Sequence, residues 1–186
     1  CSIFIILGAI ISGAGTTETL GKLGSINALP GAFAACVAAG LSVYVMTKFG
    51  LPVSTTQAIV GAIVGWNIYT GSPTNMKVLI IILGTWVLCP IIAGLIAMFF
   101  YTLTKKLIHS SKLHILRLDA YTRAALVLAG AFGAYSLGAN NIANVMGVFV
   151  PISPFTDVNI MNIFIFSSKE QLFLLGGIAI AIGVFT

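Results

Sequence analysis

Pro52-Val53-Ser54-Thr55-Thr56-Gln57 and Gly138-Ala139-Asn140-Asn141-Ile142-Ala143-Asn144 are two polar clusters set inside otherwise apolar, membrane-length stretches, and each opens on a helix-breaking residue. Hydrocarbon offers no water to freed backbone groups or bare amides. Such clusters therefore survive where they face a protein-lined cavity holding a polar ligand. Each also reads as the start of a short helix. Pro52 precedes hydroxyl residues suited to N-capping, and Gly138 loosens the chain before Asn140. Both would aim unpaired N–H groups and a positive dipole end at an anion. Paired broken helices of this kind mark secondary transporters.

Composition fixes the broad class. The 186 residues are 59% hydrophobic and 7% charged, with mean hydropathy +1.10, whereas soluble domains carry about 25% charged residues. Apolar runs recur along the whole length with too little charge between them to build a solvated surface. The chain is therefore read as an all-α integral membrane protein. It is expected to form a multi-pass helical bundle with broken or re-entrant half-helices, part of an inverted-repeat secondary transporter. No secretory signal is recognisable, since the first residues lack a basic region, and a start at Cys1 reads as a cut. Cys1, Cys36 and Cys89 show no ligand spacing and read as inert packing thiols. His109 and His114 flank Lys112 without carboxylates or thiols nearby, which favours a solvated loop over a metal site.

Along the chain, a first apolar segment near 3–15 ends in Gly13-Ala14-Gly15-Thr16-Thr17-Glu18-Thr19, and a second covers about 28–47. The third, from Leu51 to about Tyr69, has a polar opening and reads as a half-helix or re-entrant element. Its Gly61 and Gly65 at i,i+4 leave a small face for close packing. Residues 76–104 form a long helix with Pro90 as a kink. An apolar segment at about 120–137 leads to the Asn cluster, a short helix to Val150 and a Pro/Ser/Asn-rich connection through Pro151, Pro154, Asp157 and Asn159. The last segment runs from Leu172.

Lys105, Lys106, Lys112, Arg117 and Arg123 are five of the chain's nine Lys+Arg. Concentrated between 105 and 123 against the single acid Asp119, they place this stretch in the cytoplasm by the positive-inside rule. Topology accounts for these charges better than nucleic-acid binding, because aromatic residues do not alternate with them, Tyr121 being the one Phe, Trp or Tyr in the stretch. A surface helix touching anionic lipid is a further option. The chain's ending resembles its beginning: Leu7-Gly8-Ala9-Ile10 with Gly15 aligns without a gap to Leu175-Gly176-Gly177-Ile178 with Gly183. The expected organisation is the C-terminal part of a first transporter repeat (1–104), a basic cytoplasmic loop (105–123) and the truncated start of a second repeat (124–186).

The run from Gly50-Leu51-Pro52-Val53-Ser54-Thr55-Thr56-Gln57 through Gly65, and the run Gly138–Asn144, closely resemble the two signatures of the inorganic phosphate transporter (PiT) family, where PVSTTH-type and GAND-type motifs occur once per inverted half. Thr16-Thr17-Glu18-Thr19-Leu20 is similar to the acidic turn after that family's early helix. The resemblance implies a cation-coupled symporter of inorganic phosphate with Na⁺ or H⁺ as coupling ion and no further cofactor. Asn141 stands where the family usually has Asp, Gln57 where it often has His, and Val148 where a Pro is common. A neutral amide offers a cation only its carbonyl oxygen, so both coupling ions stay open.

Phosphate is acceptor-rich, and a site that must also release it is best built from neutral donors and helix ends. Ser54, Thr55 and Thr56 supply hydroxyls and consecutive N–H groups. Asn140 and Asn144, at i,i+4 on one helix face, supply amide donors to phosphate or carbonyls to Na⁺, and Asn141 points elsewhere on that helix. The expected phosphate ligands are thus Ser54, Thr55, Thr56, Asn140 and Asn144. Asn141, Asn144 and Glu18 are assigned to coupling, with Na⁺ reached through Asn140, Asn141 and Asn144. The competing view is that the hydroxyls bond their own helix and the amides glue helices. It suits isolated residues better than two clusters that both break helices. An intramembrane enzyme is disfavoured because Ser54 has no base in either cluster, and a channel because no polar rings line a continuous path. The expected partners are phosphate, Na⁺ or H⁺, the bilayer of a plasma or bacterial inner membrane, and the remaining transporter halves. Association as a homodimer is also open, and no nucleic acid is expected.

Overall fold

A computed structural model of the chain describes residues 1–24, 26, 28–110, 114–160 and 164–184. Seven helices carry the described fold: α1 (Ser2–Ser12), α2 (Ala14–Gly21), α3 (Leu29–Lys48), α4 (Thr55–Thr70), α5 (Met76–Ser110), α6 (Ile115–Met146) and α7 (Ser168–Gly183). A 3-10 turn at Val150–Ile152 and a two-stranded ribbon complete it. In the ribbon β1 (Val158–Ile160) pairs antiparallel with β2 (Phe164–Phe166), Asn159 opposite Ile165. The all-α membrane architecture is thus present. Helices α3, α5 and α6 are long and apolar enough to cross a membrane, and α1 with α2 forms a further pair bent by 60° at Gly13.

Residues Lys77–Gly130 form one compact unit. Its part of α5 exposes apolar side chains all round, among them Ile80, Val87, Leu88, Ile91, Leu95, Phe99 and Phe100, which suits a helix surrounded by lipid. At 35 residues α5 runs unbroken through Pro90. Its length of about 50 Å exceeds the roughly 30 Å hydrocarbon layer. The stretch 105–123, expected as a loop, is instead helical at both ends, since α5 continues to Ser110 and α6 begins at Ile115. No Gly or Pro interrupts it, and Lys, Leu, Arg and Ala are good helix formers. The expected site of Lys112 lies outside the described residues.

Residues Cys1–Met76 and Ala131–Thr186 form the other unit. Here α1 packs on α7 and α3 on α4. A buried cluster of Ala9, Ile142, Leu172 and Phe173 joins α1, α6 and α7, with Ile10, Met146, Phe149, Val150 and Ile180 against it. Glycine sets the closeness of these crossings. A Cβ on Gly138 would run into the backbone of Ile5, and one on Gly8 into the carbonyl of Tyr135. The two helices thus meet backbone to backbone, as small-residue membrane contacts do.

This contact corrects the sequence reading of the second cluster. Gly138 does not open a helix: α6 continues without interruption to Met146. Asn140 and Asn141 sit on a helix body, not at a positive dipole end, and the expected short helix to Val150 is the last turns of α6 followed by the 3-10 turn. The glycine serves the crossing with α1. Helix α4 keeps the expected form of a half-helix. Its 16 residues span about 24 Å, short of a roughly 30 Å hydrocarbon layer.

Candidate functional site

Helix α4 begins where Pro52 and the extended Ser54 (φ −107°, ψ 121°) hold the chain out of the helix. Ser54 is the N-cap, its Oγ accepting the Gln57 N–H at 3.4 Å, and the ladder starts with Ala58 N–H to the Ser54 carbonyl at 3.0 Å. Thr55 and Thr56 lie in the first turn, ahead of that bond. Their N–H groups have no intrahelical partner. Their hydroxyls are in an equally special position. Elsewhere in this protein a helical Thr donates to the carbonyl four residues back, as Thr47 does to Val43, Thr102 to Met98 and Thr122 to Leu118, each at 2.8 Å. At the start of α4 no helical carbonyl lies four residues back, so Thr55 and Thr56 keep their protons for another acceptor.

Both threonine oxygens are met from α6. The Asn144 Nδ2 amide lies 3.1 Å from Thr55 Oγ1 and 3.1 Å from Thr56 Oγ1, as well as 3.1 Å from Asn141 Oδ1. As acceptors towards Asn144, the threonines retain donor capacity. The structure therefore brings together Thr55, Thr56, Asn141 and Asn144, with Ser54 one residue away as cap. It reverses the expected pairing of the asparagines. Asn141, three residues from Asn144, joins the cluster, and Asn140 is exposed with no bond to it. Residues three apart on a helix are neighbours as surely as residues four apart. Which of the two spacings is used depends on where α4 docks.

A cavity of about 270 Å³ opens beside the cluster, with Thr55 and Ile59 of α4, Asn144 and Val145 of α6, and Cys36, Ala39, Gly40 and Val43 of α3 on its walls. Cys36 Sγ lies 3.9 Å from the Val145 carbonyl. The α3 wall gave no signal in the sequence, because Cys36, Ala39, Gly40 and Val43 are small or apolar residues within an apolar run. A second opening of about 330 Å³ lies among the linkers at Lys22, Gly24, Pro73, Asn75 and Pro151. It contains none of the expected ligands.

Glu18 is not bonded to the cluster. It sits on α2, 3.8 Å from Lys22, with its side chain more than half exposed. Its neighbours tie α2 down: Thr16 donates to the Ala139 carbonyl of α6 at 3.1 Å, and buried Thr17 donates to the Gly13 carbonyl across the bend. Ser12 Oγ and the Tyr135 hydroxyl, 2.6 Å apart, add a second link between the bent pair and α6. Ser12 and Tyr135 went unrecognised in the sequence, where single hydroxyls in apolar runs carry no spacing signal.

Several apolar spans, a bent helix pair and a capped half-helix facing an amide cluster define a polytopic helical membrane protein with a polar site inside it. Comparison with known proteins then gives the family: the profile described as "Phosphate transporter family" matches residues 1–186, and the chain belongs to that family. It is 44% identical over 96 residues to a candidate phosphate permease of Methanocaldococcus jannaschii, covering 51% of this chain and 32% of that protein. A candidate phosphate permease of Helicobacter pylori is 34% identical over 136 residues, 66% of this chain and 26% of the relative. The sulfate permease CysP of Bacillus subtilis is 29% identical over 155 residues, 81% of this chain and 42% of the relative. The matches thus span about a third of the length of such relatives. No solved structure matches the chain.

Proposed function

We propose that this chain contributes one part of a cation-coupled inorganic phosphate symporter, and that Thr55, Thr56, Asn141 and Asn144 form its half of the phosphate site. The observation that carries this reading is the Asn144 amide bridging both threonine hydroxyls at the capped start of α4. Two hydroxyl protons, the N–H groups of the first turn and the positive end of the helix converge there, and each favours an oxyanion without a buried cation. Ser54 contributes by shaping the turn. Asn140, exposed and outside the cluster, and Glu18, at the bent pair, are assigned to the ion pathway, where Na⁺ or H⁺ couples through Asn141, Asn144 and Glu18.

The division at 105–123 between two repeats, with that stretch in the cytoplasm, belongs to the same proposal. It rests on the charges of Lys105, Lys106, Arg117 and Arg123. So do the remaining halves of the transporter, a homodimer and the plasma or bacterial inner membrane. Catalysis is set aside because no base accompanies Ser54. Labelled phosphate uptake by proteoliposomes of the full-length transporter, under an imposed Na⁺ or proton gradient, tests the reading. Saturable uptake driven by one gradient is expected. A large, non-saturating, uncoupled anion conductance would give the alternative, a channel. The sulfate permease among the relatives makes another tetrahedral oxyanion the second substrate reading.

A further inference from the structure

We infer that α3 supplies a third wall of the oxyanion site, and that Gly40 keeps open the room in which phosphate sits against Thr55 and Asn144. The inference rests on the assignment of the Thr55–Asn144 cluster as that site and adds the residues that size it.

The cavity beside the cluster holds about 270 Å³, roughly nine times the share of one water in the liquid. An oxyanion fits there with part of its hydration shell. The polar lining groups Thr55 and Asn144 come from α4 and α6, whereas α3 lines the cavity with Cys36, Ala39, Gly40 and Val43. These four fall at i, i+3, i+4 and i+7, one face of a helix. The Cys36 thiol, a weak donor, lies 3.9 Å from the Val145 carbonyl. A wall of this kind lowers the dielectric around the donors of α4 and strengthens each hydrogen bond they make.

Two glycines of α3 differ in what their missing side chain serves. A Cβ on Gly31 would lie 2.6 Å from a carbon of the Trp66 ring of α4, so Gly31 is a packing glycine. A Cβ on Gly40 would meet nothing within 4 Å among the described residues. Nor does the backbone demand glycine at 40, which lies inside the helix Leu29–Lys48. Glycine in a helix interior lowers stability relative to alanine. The space that the missing side chain leaves is the cavity itself, which Gly40 borders. Bulk added at this position therefore enters the anion's room and not a helix contact.

The test uses the full-length transporter. In proteoliposomes, Gly40→Ala and Gly40→Val are expected to raise the phosphate KM in that order, the Val variant about tenfold or more. Thermal unfolding in detergent should be unchanged, or raised for Ala. Gly84→Val, on α5 and away from the cavity lining, should keep the wild-type KM. A second readout leaves the wall intact. With every cysteine but Cys36 replaced by Ala, a charged methanethiosulfonate should modify the detergent-solubilised transporter. Phosphate at about ten times its Kd, with Na⁺ present, should slow that reaction about tenfold, and chloride at equal ionic strength should not. An unchanged KM in both Gly40 variants would overturn the inference, as would an equal rise in Gly84→Val. Melting temperatures that fall in step with uptake would overturn it too, by making Gly40 a packing contact. A Cys36 that does not react, or reacts equally fast with and without phosphate, decides against it even where Gly40→Val fails to insert. Each of these results spares the oxyanion reading so long as Thr55→Ala or Thr56→Ala raises the KM, whereas unchanged uptake in both threonine variants contradicts that reading itself.

Discussion

Asn144 Nδ2 and Thr56 Oγ1 lie 3.1 Å apart although 88 positions separate them in the chain. One amide thereby fixes the start of α4 against the body of α6. Removing it takes away the partner of Thr55, Thr56 and Asn141 together. Asn144→Ala should therefore impair phosphate uptake more than Asn140→Ala, whose side chain is exposed and outside the cluster. Uptake kinetics of the two variants in the full-length transporter check this. Equal losses would argue that the cluster has no special role.

Ser54 acts as a cap and so should behave differently from its neighbours. Loss of the Ser54–Gln57 bond in Ser54→Ala is expected to cost about 1 kcal/mol of stability, while Ser54→Thr or Ser54→Asp retains most of it. Thermal unfolding in detergent is the measurement. An Ala variant as stable as wild type would remove the cap from the account.

The glycine contacts give a prediction of opposite sign at two nearby positions. Gly138→Ala drives a Cβ into the Ile5 backbone, whereas Gly133→Ala meets nothing within 4 Å. The first should destabilise by about 1–3 kcal/mol through overpacking. The second should be neutral or stabilising by up to about 1 kcal/mol, since Ala is the better helix former. Melting temperatures that move together would contradict the close α1–α6 crossing.

The same glycine shows what was legible in the sequence and what was not. That Pro52 and Ser54 open a helix could be read directly, because capping is local chemistry between residues a few positions apart. Gly138 was misread as a break because a helix interior tolerates glycine when another backbone presses on it, and nothing local identifies Ile5 as the neighbour. The choice of Asn140 over Asn141 as the neighbour of Asn144 in the cluster differs from the structure for the same reason: both spacings to Asn144 are sound on a helix, and only the docking of α4 selects Asn141. The broken pair at Gly13 was visible as a Gly- and Thr-rich run, but its 60° bend was not. Within 105–123 the helical residues up to Ser110 and from Ile115 were passed over, because charge drew the eye while no Gly or Pro marks a break there.

The proposed cytoplasmic side of the basic residues at the end of α5 is open to labelling. A cysteine placed at Ser110 should resist an impermeant thiol reagent in intact cells and react once they are permeabilised. Labelling from outside would reverse the topology.

Coupling is tested at Asn141. A carboxylate there would offer a cation a full charge in a low-dielectric site in place of a carbonyl dipole. Asn141→Asp should therefore tighten the Na⁺ dependence of uptake or add a pH dependence. A folded variant with unaltered ion dependence would leave Asn141 as a helix-bridging amide only.

The central claim is that the first turn of α4 holds phosphate. The most direct measurement is the phosphate KM of Thr55→Ala and Thr56→Ala in the full-length transporter, with membrane insertion verified for each. Loss of one charge-assisted hydrogen bond costs about 1.5–3 kcal/mol, so a ten- to hundredfold rise in KM is expected, or loss of uptake altogether. Unchanged phosphate uptake in both variants would contradict the account and return these threonines to a purely structural role.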